Sequence, residues 1–168
     1  MTPVSGDVNG DFSWYQGVKI SLFDVSDVEN PREIDKYEIG DRGTDSPVLT
    51  DHKAFLFDRS KNLLVTPVLV AEIDEEKYPN GAVPPNAYGE YVWQGAYVFN
   101  VSLTEGFMFR DGITHLEDNA DKESFYYYSP YYVKRALYIG NVLYTISDKK
   151  IKMNSLETLQ EINEVELP

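Results

Sequence analysis

The sequence has no cysteine, only two histidines and two tryptophans, and too little positive charge to balance its acids. Fifteen Lys and Arg face 28 Asp and Glu over 168 residues, a net charge of −13. Without cysteine there is no disulfide, no thiolate metal site and no cysteine nucleophile. The acidic balance argues against nucleic acid and anionic membrane surfaces as partners, because their phosphates would repel it. No apolar run is long enough for a membrane span, so no membrane insertion is expected. The start, Met1-Thr2-Pro3-Val4-Ser5-Gly6-Asp7, does not read as a signal peptide. Neither His-Glu-x-x-His nor Gly-x-Ser-x-Gly occurs, so both of those hydrolase signatures are missing. Helical periodicity is almost absent as well. Only Ser155 to Glu161 suits a helix, and that stretch is too short to stand alone.

What is present is a succession of short apolar runs broken by turn signals. Val18 to Val25 alternates, with Val18, Ile20 and Leu22 on one face, and Glu33 to Ile39 alternates again after Asn30-Pro31. Strands are predicted at Ala54–Phe57, Leu63–Val70, Tyr91–Val101 and Phe107–Ile113. Further strands are predicted at Arg135–Ile139, Val142–Ile146, Lys150–Met153 and Gln160–Leu167, with Gly140-Asn141 as a tight hairpin turn. Pro79, Pro84 and Pro85 make Glu72 to Ala87 a long loop, and Leu116 to Ser124 reads as a second, acidic one.

These runs repeat. Ala54-Phe55-Leu56-Phe57, a turn and Leu63-Leu64-Val65-Thr66 match Ala136-Leu137-Tyr138-Ile139, a turn and Val142-Leu143-Tyr144-Thr145. Leu22-Phe23-Asp24-Val25-Ser26 matches Val98-Phe99-Asn100-Val101-Ser102 and, more weakly, Ile151-Lys152-Met153-Asn154-Ser155. The order is half a unit, then two four-strand units. A four-strand repeat of about 40 residues is the sequence sign of a propeller blade. The expected fold is therefore all-β, with antiparallel four-stranded β-propeller blades, about two and a half of them, in an incomplete ring. Residues 1–13 are expected as a flexible N-terminal segment and 14–168 as the partial propeller domain.

Gly17 to Ser26, Ile39-Gly40-Asp41-Arg42-Gly43-Thr44, Asp51-His52-Lys53-Ala54-Phe55-Leu56-Phe57 and Leu137-Tyr138-Ile139-Gly140 resemble a known group. They are similar to secreted, mostly archaeal proteins with a C-terminal β-propeller distantly related to WD40 repeats. The resemblance runs from about Trp14 to Leu167 and implies the C-terminal part of such a propeller, in an extracellular or cell-surface setting. It implies no particular activity.

An incomplete ring leaves apolar blade faces and a sheet edge uncovered. The expected partner is therefore the chain itself, as a homo-oligomer, or a protein supplying the missing blades. The function expected is a non-catalytic interaction module. The alternative is a carboxylate- and histidine-dependent enzyme acting on an extracellular polymer such as a glycan.

Candidate residues fall into four groups. Asp51 beside His52, together with His115, offers a base or a structural histidine. Asp7, Asn9 and Asp11 place oxygen side chains at alternate positions, and Asp118 and Asp121 lie in a second oxygen-rich loop. Hard cations, calcium foremost, suit such ligands, although Phe12 and Val18 stand where a calcium-binding loop needs Gly and Glu. The aromatic run Tyr126, Tyr127, Tyr128, Tyr131 and Tyr132, with Tyr88, Tyr91 and Trp93, offers flat faces with polar rims for proteins or sugars. Arg42 suits either a carboxylate clamp or a tie through Asp41 or Asp45.

Overall fold

The computed structural model describes residues 2–5, 13–117, 125 and 128–168. The described residues are all-β, with short 3-10 turns and no α-helix. Twelve strands occur in chain order: β1 (Thr2–Ser5), β2 (Ser13–Gln16), β3 (Val18–Asp24), β4 (Arg32–Ile39), β5 (Leu56–Asp58) and β6 (Leu63–Glu72). They continue as β7 (Glu90–Ser102), β8 (Gly106–Ile113), β9 (Arg135–Ile139), β10 (Val142–Ile146), β11 (Lys150–Ser155) and β12 (Glu161–Glu166). Two sheets are four-stranded, β5-β6-β7-β8 and β9-β10-β11-β12, and two are two-stranded, β1-β2 and β3-β4. The half unit followed by two full ones is thus present, each full one with its strands in chain order.

The repeat extends to irregularities. β3 and β4 slip register between Leu22 and Phe23, and β7 and β8 slip between Val98 and Phe99, the matching positions of the repeated motif. β11 and β12 slip two residues further on, between Met153 and Asn154. A bulge at one place in a repeated hairpin re-aims the strand that follows, so it belongs to the unit.

The chain divides into two compact units, Met1–Asp45 with Val70–Trp93, and Ser46–Leu69 with Gln94–Pro168. In the second unit Leu63, Val65, Ala96, Val98, Ile113, Val133, Ala136, Leu143 and Leu159 form one buried cluster. β6 is buried from Leu63 to Ala71, which explains why its sequence is an unbroken apolar run instead of an alternation. Pro67 is tolerated in this interior strand because β5 is short and pairs only with Leu63–Val65. Beyond that pairing, Ser46 Oγ donates to the Pro67 carbonyl at 2.6 Å. Gly140 takes a positive φ of 59° in the two-residue turn that pairs Ile139 with Val142, a conformation that suits glycine.

Three local expectations need correction. Ala54 and Phe55 are not in a strand: Asp51 caps a 3-10 turn over His52–Ala54, and β5 starts at Leu56. The Asp51 carboxylate accepts from the Lys53 amide at 2.9 Å, a local bond that competes with a ladder. Ser155 to Glu161 is not a helix: Ser155 ends β11, Leu156 to Thr158 form a turn, and Glu161 starts β12. The loop after β6 is partly ordered into 3-10 turns at Glu75–Lys77 and Pro79–Gly81.

Candidate functional site

The first unit centres on the turn from Gly40 to Thr44. The Asp41 amide donates to the Ala71 carbonyl at 2.8 Å, and the Asp41 carboxylate accepts from the Ile73 amide at 2.7 Å. Thr44 Oγ1 donates to the same Ala71 carbonyl and accepts from the Ala71 amide. Gly43 has φ +114°, and a Cβ there would stand 2.6 Å from the Tyr88 ring. The Arg42 guanidinium lies 4.0 Å from the Trp14 ring centroid and about 5.5 Å from those of Tyr15 and Tyr88. Its Nη1 donates to the Asn86 carbonyl at 3.0 Å, while the Gly89 amide donates to the Arg42 carbonyl. Arg42 therefore braces the long loop through stacking and main-chain bonds. Beside this turn, a cleft of about 360 Å³ is lined by residues that include Gln16, Glu38, Asp41, Ile73, Glu75 and Pro85.

The second unit contains a buried polar knot. His115 is 2% exposed and follows β8. Its Nδ1 stands 2.9 Å from Ser147 Oγ and its Nε2 stands 2.9 Å from Thr145 Oγ1. Ser147 Oγ donates its proton to the Lys150 carbonyl, so Nδ1–H donates to Ser147 and Nε2 accepts from Thr145. Burial, helped by the charges of Lys152 and Lys150, pushes His115 down to about 4. At neutral pH it is an uncharged, fully engaged structural group.

Lys150, 3% exposed, lies next to this knot. Its ammonium is 3.0 Å from Glu164, 3.5 Å from Glu166 and 3.8 Å from Glu117, and 5.9 Å from the Tyr131 ring centroid. Burial opposes its charge, but hydrogen bonding and attraction from Glu164 and Glu166 outweigh that and leave its pKa raised. Lys152 adds contacts to Glu161 at 3.0 Å and Glu164 at 3.9 Å. Hydrogen bonding from Lys150 holds Glu164 below the usual carboxylate range.

The other candidate residues are not drawn into one site. His52 is exposed on its 3-10 turn, and the Asp51 carboxylate is engaged by Lys53 N and by Arg135 at 2.8 Å. Tyr88 is half exposed beside Arg42; Tyr91 and Trp93, on β7, are partly buried. Tyr128 is 69% exposed, Tyr131 is partly buried, and Tyr132 is buried. The described part of the aromatic run thus splits between packing and surface. Tyr126, Tyr127, Asp7, Asn9, Asp11, Asp118 and Asp121 lie outside the described residues. Among the described residues no group of three or more His, Asp or Glu side chains is placed to hold a metal ion.

Residues 4–159 match the family model described as a β-propeller domain. The chain belongs to the β-propeller domain family. It is also 31% identical over 149 residues to an uncharacterized protein of Methanocaldococcus jannaschii, a stretch covering 89% of this chain and 17% of that protein. The chain thus spans about a sixth of the length of that curated relative. No solved structure matches it. The four-stranded sheets are accordingly propeller blades, and β3-β4 is a half blade.

Proposed function

We propose that this propeller segment is a non-catalytic interaction module, at the cell surface or outside the cell, that associates through an open blade face. The face belongs to β9–β12. Strand register aligns Leu137 and Ile139 of β9, Val142, Tyr144 and Ile146 of β10, Ile151 and Met153 of β11, and Val165 of β12. Leu137, Ile139 and Val165 are 40%, 66% and 47% exposed, and the others are partly buried. Arg135, tied to Asp51, brings the charge to that face, and Ser155 and Asn163 are its other polar members. The opposite face holds buried Ala136, Leu143 and Thr145, and on β11 and β12 the charged Lys150, Lys152, Glu164 and Glu166.

That apolar outer face carries the proposal. A blade in a stacked array buries both faces, and an end repeat that stays in water needs a polar outer side. The cover is another blade, from a second copy or from a protein supplying blades. Each unit also exposes a loop tyrosine, Tyr88 in the first and Tyr128 in the second, as a separate contact for a protein or glycan. The compartment rests on the resemblance to secreted propeller proteins.

The double variant Leu137→Lys, Ile139→Lys tests the proposal in gel filtration with light scattering. The proposal expects the wild-type chain to elute as an assembly and the variant as a monomer that still unfolds cooperatively, with a thermal midpoint that no longer depends on concentration. Equal elution of the two would contradict it.

A further inference from the structure

A second cleft, in the unit that contains β9–β12, has an unusual balance of charge. Its volume is about 320 Å³, and its lining is Lys61, Leu63, Arg110, Asn141, Leu156 and Glu157. These residues come from the turn before β6, the start of β6, β8, the β9–β10 turn and the turn after β11. The walls are cross-linked. The Leu156 amide donates to the Asn141 carbonyl at 2.8 Å. Arg110 Nη2 donates to the carbonyls of Leu156 at 3.0 Å and Glu157 at 2.7 Å.

Lys61 is placed through its main chain and by an aromatic ring. Asp58 Oδ1 accepts from the Lys61 amide at 3.2 Å. The Lys61 ammonium stands 5.1 Å from the Tyr138 ring centroid, and the Tyr138 hydroxyl donates to Asp58. Lys19, Lys77, Lys134 and Lys152 all sit against carboxylates. Lys61 and Arg110, like Lys53, Arg59 and Lys149, form no such ion pair among the described residues, and these two line one cleft. Glu157, on the same lining, has no ion pair there either.

We infer that this cleft binds a small zwitterion of the α-amino acid class. Lys61 and the guanidinium N–H groups that Arg110 does not spend on Leu156 and Glu157 take the carboxylate. Glu157 takes the ammonium group, and Leu63 and Leu156 provide an apolar wall for an aliphatic side chain. Arg110 is held by two hydrogen bonds before the ligand arrives, and Lys61 lies against the Tyr138 ring, which lowers the ordering cost of binding. Glu157 disfavours a dianion such as phosphate. The site does not involve the apolar blade face, so either proposal can fail without the other.

Calorimetry on the 168-residue chain at low salt, with L-leucine, 4-methylpentanoate and inorganic phosphate as probes, tests this inference. Leucine is expected to bind, 4-methylpentanoate to bind about tenfold more weakly, and phosphate to bind weakest. Lys61→Gln should weaken leucine binding about tenfold without moving the thermal midpoint. Glu157→Gln should close the gap between leucine and 4-methylpentanoate. Arg110 also braces the wall, so its variants are a poor probe. Absence of saturable heat with leucine at millimolar concentration would overturn the inference. So would leucine binding unchanged in Lys61→Gln, or phosphate binding tighter than leucine.

Discussion

The half blade β3-β4 and the full blade β9–β12 finish their faces differently. In β3-β4 one face holds Val18, Ile20, Leu22, Tyr37 and Ile39 with Asp35 at its end, while the other carries Lys19, Ser21, Lys36 and Glu38. Lys19 meets Glu33 at 2.6 Å and Lys36 meets Glu38 at 2.9 Å on that polar side. Exposed Phe23 and Ile34, at the bulge, are its apolar exceptions. In β9–β12 the side turned away from the core is mainly apolar from Leu137 to Val165, with Ser155 and Asn163 as polar exceptions. Alternation with a charged side is the pattern of a sheet that keeps one face in water. An apolar outer side is the pattern of a sheet with a neighbour there as well, while the inner side of this blade carries Lys150, Lys152, Glu164 and Glu166 beside Ala136, Leu143 and Thr145.

Five variants, grouped in order of the largest expected effect, sharpen that contrast. Leu143→Ala, on the buried face of β10, should cost about 2–5 kcal/mol in urea unfolding. Ile139→Ala, on the outer face, should cost less than about 1 kcal/mol in the same assay at dilutions where the chain is monomeric. Equal costs would erase the distinction between the two faces.

Acid comes next. His115 is neutral in the folded protein down to about pH 4, whereas an unfolded histidine takes up its proton near 6.5. The unfolded state therefore binds more protons in between, and stability falls as pH drops through that window, by on the order of 3 kcal/mol. His115→Gln should flatten the slope between pH 6.5 and 4; an unchanged slope would show that His115 is not its source. Glu164 adds a loss at lower pH, as the value its carboxyl holds in the fold is passed. Glu164→Gln at pH 7 should cost about 1 kcal/mol, with the hydrogen-exchange effect concentrated in β12, because the buried Lys150 loses a partner 3.0 Å away. Uniform exchange changes would contradict that placement. Lys36→Gln, on the polar side of β3-β4, should shift stability by less than about 0.5 kcal/mol.

The strands and their grouping were legible because each unit repeats the same local pattern. β3, β4 and β6 to β12 lie within two residues of the strands expected from alternation and turn residues. The β1-β2 hairpin was not legible, since Thr2–Ser5 and Ser13–Gln16 are too short for a period to show. The start of β5 was missed because an Asp51 cap outcompetes the apolar run after it. Site geometry was hidden for another reason. Arg42 depends on Trp14 and Tyr88, and His115 on Thr145 and Ser147, all distant in sequence. The cleft at Lys61 and Arg110 joins five separate segments, none of which carries a motif.

The solution mass of the chain at micromolar concentration, by sedimentation equilibrium, tests the central claim most directly. An open apolar blade face predicts a mass at least twice 19.2 kDa, falling toward 19.2 kDa on dilution. A single species of 19.2 kDa across the whole concentration range would contradict the claim that this face seeks another blade.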